Sequence, residues 1–93
     1  MPLTFEWDFR KARTNLLKHG VSFEEAATIF ADRLSLTIPD PEHSEEEERF
    51  VTMGKTYSGK VVVVVHTDRG DNIRLIGARP ASRRERKSYE EIT

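Results

Sequence analysis

No cysteine occurs anywhere in the chain, so neither a disulfide framework nor a thiolate-bound metal is open to it. Long apolar stretches are missing too. The longest unbroken run is Val61 to Val65, far short of the roughly 20 residues that cross a bilayer. The amino terminus lacks the charged-then-apolar pattern of a secretory signal, so the expectation is a cytoplasmic protein with no membrane association. The five glycines never cluster, which leaves no glycine-rich phosphate loop. The three histidines, at positions 19, 43 and 66, lack the short spacing of a local metal motif. His43 beside Glu42 and Glu45 is the one place where metal-ligand types gather, and a solvated acidic loop is the simpler reading. No metal and no cofactor is therefore expected.

What is present is charge, unevenly placed. The chain of 93 residues, enough for a single domain over residues 1–93, carries a net charge of only −1. Residues 1–48 nevertheless hold five Lys or Arg against eleven Asp or Glu, and residues 49–93 hold ten against five. Six of the acids fall between Asp40 and Glu48. A basic carboxy-terminal half inside a neutral protein points to a localised anion-binding surface, unless the charges only solvate exposed faces.

The apolar pattern predicts an α+β fold. Leu3 to Trp7 alternates as a short strand does. Asp8 is placed as an N-cap for a helix with Phe9, Ala12 and Leu16 at helical spacing, which Lys18, His19 and Gly20 end. Ser22 and Glu25 have the spacing of a capping box, and Phe23, Ala26, Ala27 and Phe30 give the second helix one apolar stripe. Strands follow at Leu34–Ile38, Phe50–Gly54, Val61–Val65 and Asn72–Arg79, with the valine run central and buried on both faces. The acidic segment reads as a solvated loop, and Asp68 to Asp71 as a turn. Ser82 and Glu85 form a second capping box that opens a final helix through Glu91, with Tyr89 and Ile92 as its sizeable apolar residues. The sum is a short amino-terminal strand, a two-helix hairpin, a four-stranded antiparallel meander and a terminal helix, with helices against one sheet face.

Arg74, Arg79, Arg83, Arg84 and Arg86 fall within thirteen residues, with Arg69 and Lys87 nearby. Phosphodiester chemistry needs donors at the non-bridging oxygens, and the planar, permanently charged guanidinium suits that task. The amides near Ser82 and Arg83 add a helix-start anion site. Salt bridges are the alternative use of each arginine. His66, leaving the valine strand, is a candidate general acid or base or else a satisfied boundary histidine. Lys18 and His19 either cap their helix or present themselves to a substrate. Glu85 is a capping residue first and a candidate base second. Tyr89 either stacks on a base or anchors the last helix.

Phe5–Asp8, Lys18–Ala26 and Ile73–Arg86 together resemble the BrnT toxin family, in the family's order and over about residues 4 to 91. That resemblance implies a RelE-like fold and metal-independent RNA cleavage that halts translation, in association with the ribosome or apart from it. It also implies a BrnA-type antitoxin of ribbon-helix-helix type, through which alone the toxin would meet operator DNA. Lys18, His19, Arg79, Ser82, Glu85 and Arg86 lie in the recurring motifs; His66 does not. The expected chemistry has Lys18, His19 or His66 taking the proton of an RNA 2′-hydroxyl while Arg79 and Arg83 stabilise the attacked phosphate. Arg69, Arg74, Ser82, Arg83, Arg84, Arg86 and Tyr89 are the expected RNA contacts. Two other readings remain open: a non-catalytic module gripping nucleic acid or a partner through the same basic surface, and a family member that retains antitoxin binding alone.

Overall fold

A computed structural model describes residues 3–40 and 47–92. In chain order these form β1 (Thr4–Glu6), α1 (Phe9–His19), α2 (Phe23–Ala27) with a 3-10 turn (Thr28–Ala31), β2 (Leu36–Pro39), β3 (Arg49–Lys55), β4 (Val61–Arg69), β5 (Asn72–Pro80) and α3 (Arg83–Ile92). The five strands make one sheet in the order β1-β5-β4-β3-β2. β2 to β5 are the expected antiparallel meander, and β1 joins its end parallel to β5.

The valine run occupies the central strand. Val62 and Val64 enter the core beneath Val21, Phe23, Ala26 and Ile29, together with Ile73, Leu75 and Ala78 of β5. Val61 and Val63 alternate onto the opposite face and are buried as well. That opposite face meets α3, contrary to the expectation that helices share one face. Arg79, opposite Val63 in register, binds Glu85 of α3, and Lys55, opposite Val61, has its Nζ 6.0 Å from the Tyr89 ring centre.

The helix ends follow their sequence signals. Asp8 accepts from the amides of Arg10 (2.8 Å) and Lys11 (3.1 Å), and Gly20 closes α1 at φ 72°. The apolar face assigned to α1 is corrected, however. Phe9 is 86% exposed and Leu16 49%, because the inward side of the helix is built on Ala12 and buried Asn15. At the start of α2 only half of the capping box forms. Glu25 N–H donates to Ser22 Oγ (3.0 Å), while the Glu25 carboxylate turns away to accept from the hydroxyls of Thr56 and Ser58. Thr28 then bonds back to the Glu25 carbonyl (2.6 Å) where the helix tightens into 3-10 geometry. Ile29 becomes fully buried, and Phe30 packs on Phe5 and His66.

β2 begins two residues later than its alternation suggests and takes in Pro39, which an edge strand tolerates because no ladder donor is needed there. β4 runs on through Asp68 and Arg69, which shortens the expected turn to Gly70–Asp71. The acidic segment is closed at its base by the Asp40 amide on the Arg49 carbonyl (2.8 Å); its residues 41–46, including Glu42, His43 and Glu45, lie outside the described residues.

Candidate nucleic-acid interface

β1 pairs with β5 only as far as Arg74, so the rest of that strand would show bare backbone groups. Asn15 supplies what is missing. Its side-chain amide donates to the Ala78 carbonyl (2.8 Å) and its oxygen accepts from the Ala78 amide (3.0 Å), so one side chain stands in for a neighbouring strand. The same amide donates to the Val21 carbonyl (3.0 Å), which ties in the chain after Gly20. Helix α1 is thereby held along the edge of β5. Arg10, Lys11, Thr14, Lys18 and His19 line a shallow groove of about 340 Å³ with Asn15 and Ile76. No carboxylate borders that groove among the described residues. Lys11, Thr14 and Lys18 recur at helical spacing, a signal in the sequence for the extra cations beside Lys18 and His19.

At the end of β5, Arg79 faces the first turn of α3. Its guanidinium makes two parallel bonds to the Glu85 carboxylate, 2.7 Å and 2.9 Å. Glu85 also accepts from the Ser82 amide (2.8 Å), and Ser82 Oγ accepts from the Glu85 amide (3.1 Å), which completes the capping box. The bond from Arg79, then those from Ser82, hold the Glu85 carboxyl down at about 2, while Arg79 itself is pushed up by the same contact. A carboxylate this acidic stays ionised and does not accept protons near neutral pH; its work is to fix Arg79. Arg83, Arg84 and Arg86 stand exposed on the helix that follows.

The structure places His66 elsewhere. It is 2% exposed and packed between Phe30 and Phe50. Its Nδ1 lies 2.8 Å from Asp68 Oδ1 and its Nε2 2.7 Å from Thr52 Oγ1, which in turn meets Thr37 Oγ1 at 2.8 Å. The Asp68 carboxylate accepts only, so the neutral ring keeps its proton on Nδ1 and accepts from Thr52 at Nε2. Burial pushes the imidazole below its usual range, against the opposing pull of Asp68. His66 is therefore a satisfied core histidine without access to a substrate.

Tyr89 is likewise corrected from a stacking surface to an anchor. It is 2% exposed, and its hydroxyl donates to Asp32. Burial, then Asp32, raises the phenol to about 12. Asp32 also accepts from the amides of Lys55 and Leu34, and it borders a wider apolar groove of about 930 Å³ lined by Leu3, Phe5, Trp7, Phe30 and Tyr57. None of the arginines lines this wider groove.

Arg69 and Arg74 stand at the other end of the β4–β5 pair. Arg69 reaches Glu47 at 3.4 Å, both side chains being largely exposed, and Arg74 is half-buried. The expected residues therefore sort into an edge groove (Lys18, His19), the β5–α3 corner (Arg79, Ser82, Glu85, Arg83, Arg84, Arg86), a distal pair (Arg69, Arg74) and two interior residues (His66, Tyr89). Among the described residues no three His, Asp or Glu side chains converge as a metal-ligand set.

Comparison with known proteins bears on the family and the fold. The family model described as ribonuclease toxin, BrnT, of type II toxin-antitoxin system matches residues 7–85. No curated protein matches the sequence. The crystal structure of the Brucella abortus ribonuclease toxin BrnT superposes with a TM-score of 0.64, at 21% identity, over 87% of this chain and 99% of that one. The α+β architecture is accordingly that of the Brucella abortus toxin.

Proposed function

The chain belongs to the BrnT family of ribonuclease toxins of type II toxin–antitoxin systems, and from that premise we propose that it is an endoribonuclease acting through the RNA 2′-hydroxyl at the corner where α1, β5 and α3 meet. The observation that carries this reading is the double bond of Asn15 to Ala78. Lys18 and His19 follow Asn15 by one helical turn, and Arg79 follows Ala78 in the strand. This contact ties the helix that carries the candidate bases to the strand that carries Arg79.

In this reading Lys18 or His19 takes the 2′-hydroxyl proton and the freed oxygen attacks the adjacent phosphorus. Arg79 and Arg83 meet the charge that grows on the non-bridging oxygens. The bond to the 5′-oxygen breaks as that oxygen gains a proton, which leaves a 2′,3′-cyclic phosphate and a 5′-hydroxyl. Each step balances without a metal or cofactor. Glu85 engages two of the guanidinium nitrogens, one of which also donates to the Pro80 carbonyl at 3.4 Å; the N–H groups left over, on Nε and Nη2, are open to phosphate. Ser82, Arg83, Arg84 and Arg86 extend the basic surface along the RNA.

Membership in a type II system implies an antitoxin partner; we assign a BrnA-type protein to that role. Inducible expression in bacteria, with and without the adjacent reading frame, tests both statements together. Growth arrest with loss of RNA, relieved by the neighbour, is the expected outcome. A second reading, a binding module without catalysis, draws support from the withdrawal of His66 and Glu85 as bases. Normal growth and intact RNA from soluble protein would favour it.

A further inference from the structure

On the sheet face opposite the helical hairpin, α3 meets Arg79 and Lys55. Toward the other end of that face, register sets out a row of polar side chains. Arg49 of β3 lies opposite Thr67 of β4, and Thr67 lies opposite Arg74 of β5. Directly opposed residues share a face, so all three point away from the helical hairpin. Arg69, two residues after Thr67, points the same way.

The middle member of this row is unusual. Thr67 is 2% exposed, and among the described residues its hydroxyl finds no hydrogen-bond partner. A buried hydroxyl left without a partner carries an uncompensated desolvation cost, which is why such groups are rare. The neighbouring Thr52, equally buried on the other face, is fully used by Thr37 and His66. Arg74 makes no ion pair among the described residues, although Glu6 is its register partner on β1. The contact of Arg69 with Glu47 is long, at 3.4 Å, and exposed, so an incoming anion competes with it easily.

We propose that this row is a second phosphate subsite, in which Arg74 and Arg69 draw in a phosphate of the RNA backbone and Thr67, whose hydroxyl is covered in the free protein, donates to a non-bridging oxygen once the side chains over it turn to the anion. It rests on the ribonuclease reading for the choice of ligand and deepens it. Arg79 and Arg74 leave opposite ends of β5, five residues apart in one strand, with rise of about 3.3 Å per residue. The two subsites therefore lie about three nucleotide steps apart at most on an extended strand. This subsite binds and positions substrate; no bond is made or broken at it.

The test is fluorescence anisotropy with a labelled ten-nucleotide 2′-O-methyl RNA, which keeps every phosphate and has no 2′-hydroxyl to react. Arg74→Gln is expected to weaken binding roughly five- to tenfold and to reduce the slope of log affinity against log salt by about 0.7, the loss of one phosphate contact. Thr67→Val, which keeps the shape and removes the hydroxyl, is expected to weaken binding about threefold with the salt slope unchanged. Arg33→Gln, exposed and away from this face, should bind as the wild type does. Wild-type affinity and slope in both Arg74→Gln and Thr67→Val, each folded with no loss of melting temperature, would overturn the proposal. A wild-type protein that binds this RNA yet leaves ordinary RNA intact would remove the ribonuclease reading and leave the subsite standing.

Discussion

His66 and Arg79 lie on opposite faces of the sheet. His66 meets Phe30 edge-on beneath the helical layer, with ring centres 5.0 Å apart, whereas Arg79 follows the core residue Ala78 and so turns outward to Glu85. No single substrate touches both. His66→Ala should therefore destabilise the protein by about 1–3 kcal/mol, since it removes one of the two partners of the Thr52 hydroxyl and opens a cavity. RNA cleavage per folded molecule should be unchanged. Urea unfolding alongside a cleavage assay corrected for folded fraction separates the two effects.

The same burial makes stability depend on pH. The folded-state pKa of His66 lies below its ordinary value of 6.5, so below that value the unfolded chain binds the proton more readily. Stability is expected to be full above pH 6.5 and to decline as pH falls through the window beneath it. Glu85 governs a separate window: held at about 2 against an ordinary 4.5, it contributes stability above pH 4.5 that disappears as pH falls from there toward 2. Melting temperatures of the wild type, a His66→Gln variant and a Glu85→Gln variant across pH 2 to 8 should assign each decline to its residue.

Arg79→Lys keeps the charge but loses the planar fork, and so loses the fixed geometry that Glu85 imposes. Cleavage should fall on the order of 10²-fold, with little change in stability because the pair is substantially exposed. Glu85→Gln should slow cleavage through a loosened Arg79 while leaving the shape of the pH–rate profile intact. A vanished acid limb in that variant would show that Glu85 is a proton acceptor after all.

Asn15 offers the sharpest structural prediction. Asn15→Leu leaves the amide and carbonyl of Ala78 and the carbonyl of Val21 without their partner, and each buried group left so costs about 1–3 kcal/mol. A loss near the upper end of that range is expected in urea unfolding, together with faster amide exchange along β5 from Ile76 onward.

The strands were legible because alternation and the valine run report burial directly: Val61 to Val64 are buried in the central strand as their composition suggests. Gly20 and the Ser82–Glu85 box likewise act as local signals with local partners. Phe9, Leu16 and the reach of Glu25 were misjudged for the opposite reason, since their outcome depends on residues distant in the chain. Phe9 and Leu16 lie outside because Asn15, a polar residue, is what β5 needs at its edge 63 positions later. Glu25 leaves its cap because Thr56 and Ser58 offer hydroxyls from a hairpin more than 30 residues away.

The candidate site was legible in part. The arginine cluster and the Lys18–His19 pair are visible in the sequence, but the face each occupies is set by register. Register moved His66 inward and brought Arg49 and Thr67 into line with Arg74. Neither Arg49 nor Thr67 carries a local signal; only the pairing of three strands brings them together.

Incubation of the purified protein with a defined RNA in excess chelator, followed by analysis of the fragment ends, bears most directly on the ribonuclease assignment. Fragments with 2′,3′-cyclic phosphate and 5′-hydroxyl ends, formed by the wild type and lost in Arg79→Ala at unchanged melting temperature, are the expected result. Equal cleavage by Arg79→Ala, or fragments bearing 5′-phosphates, would contradict it.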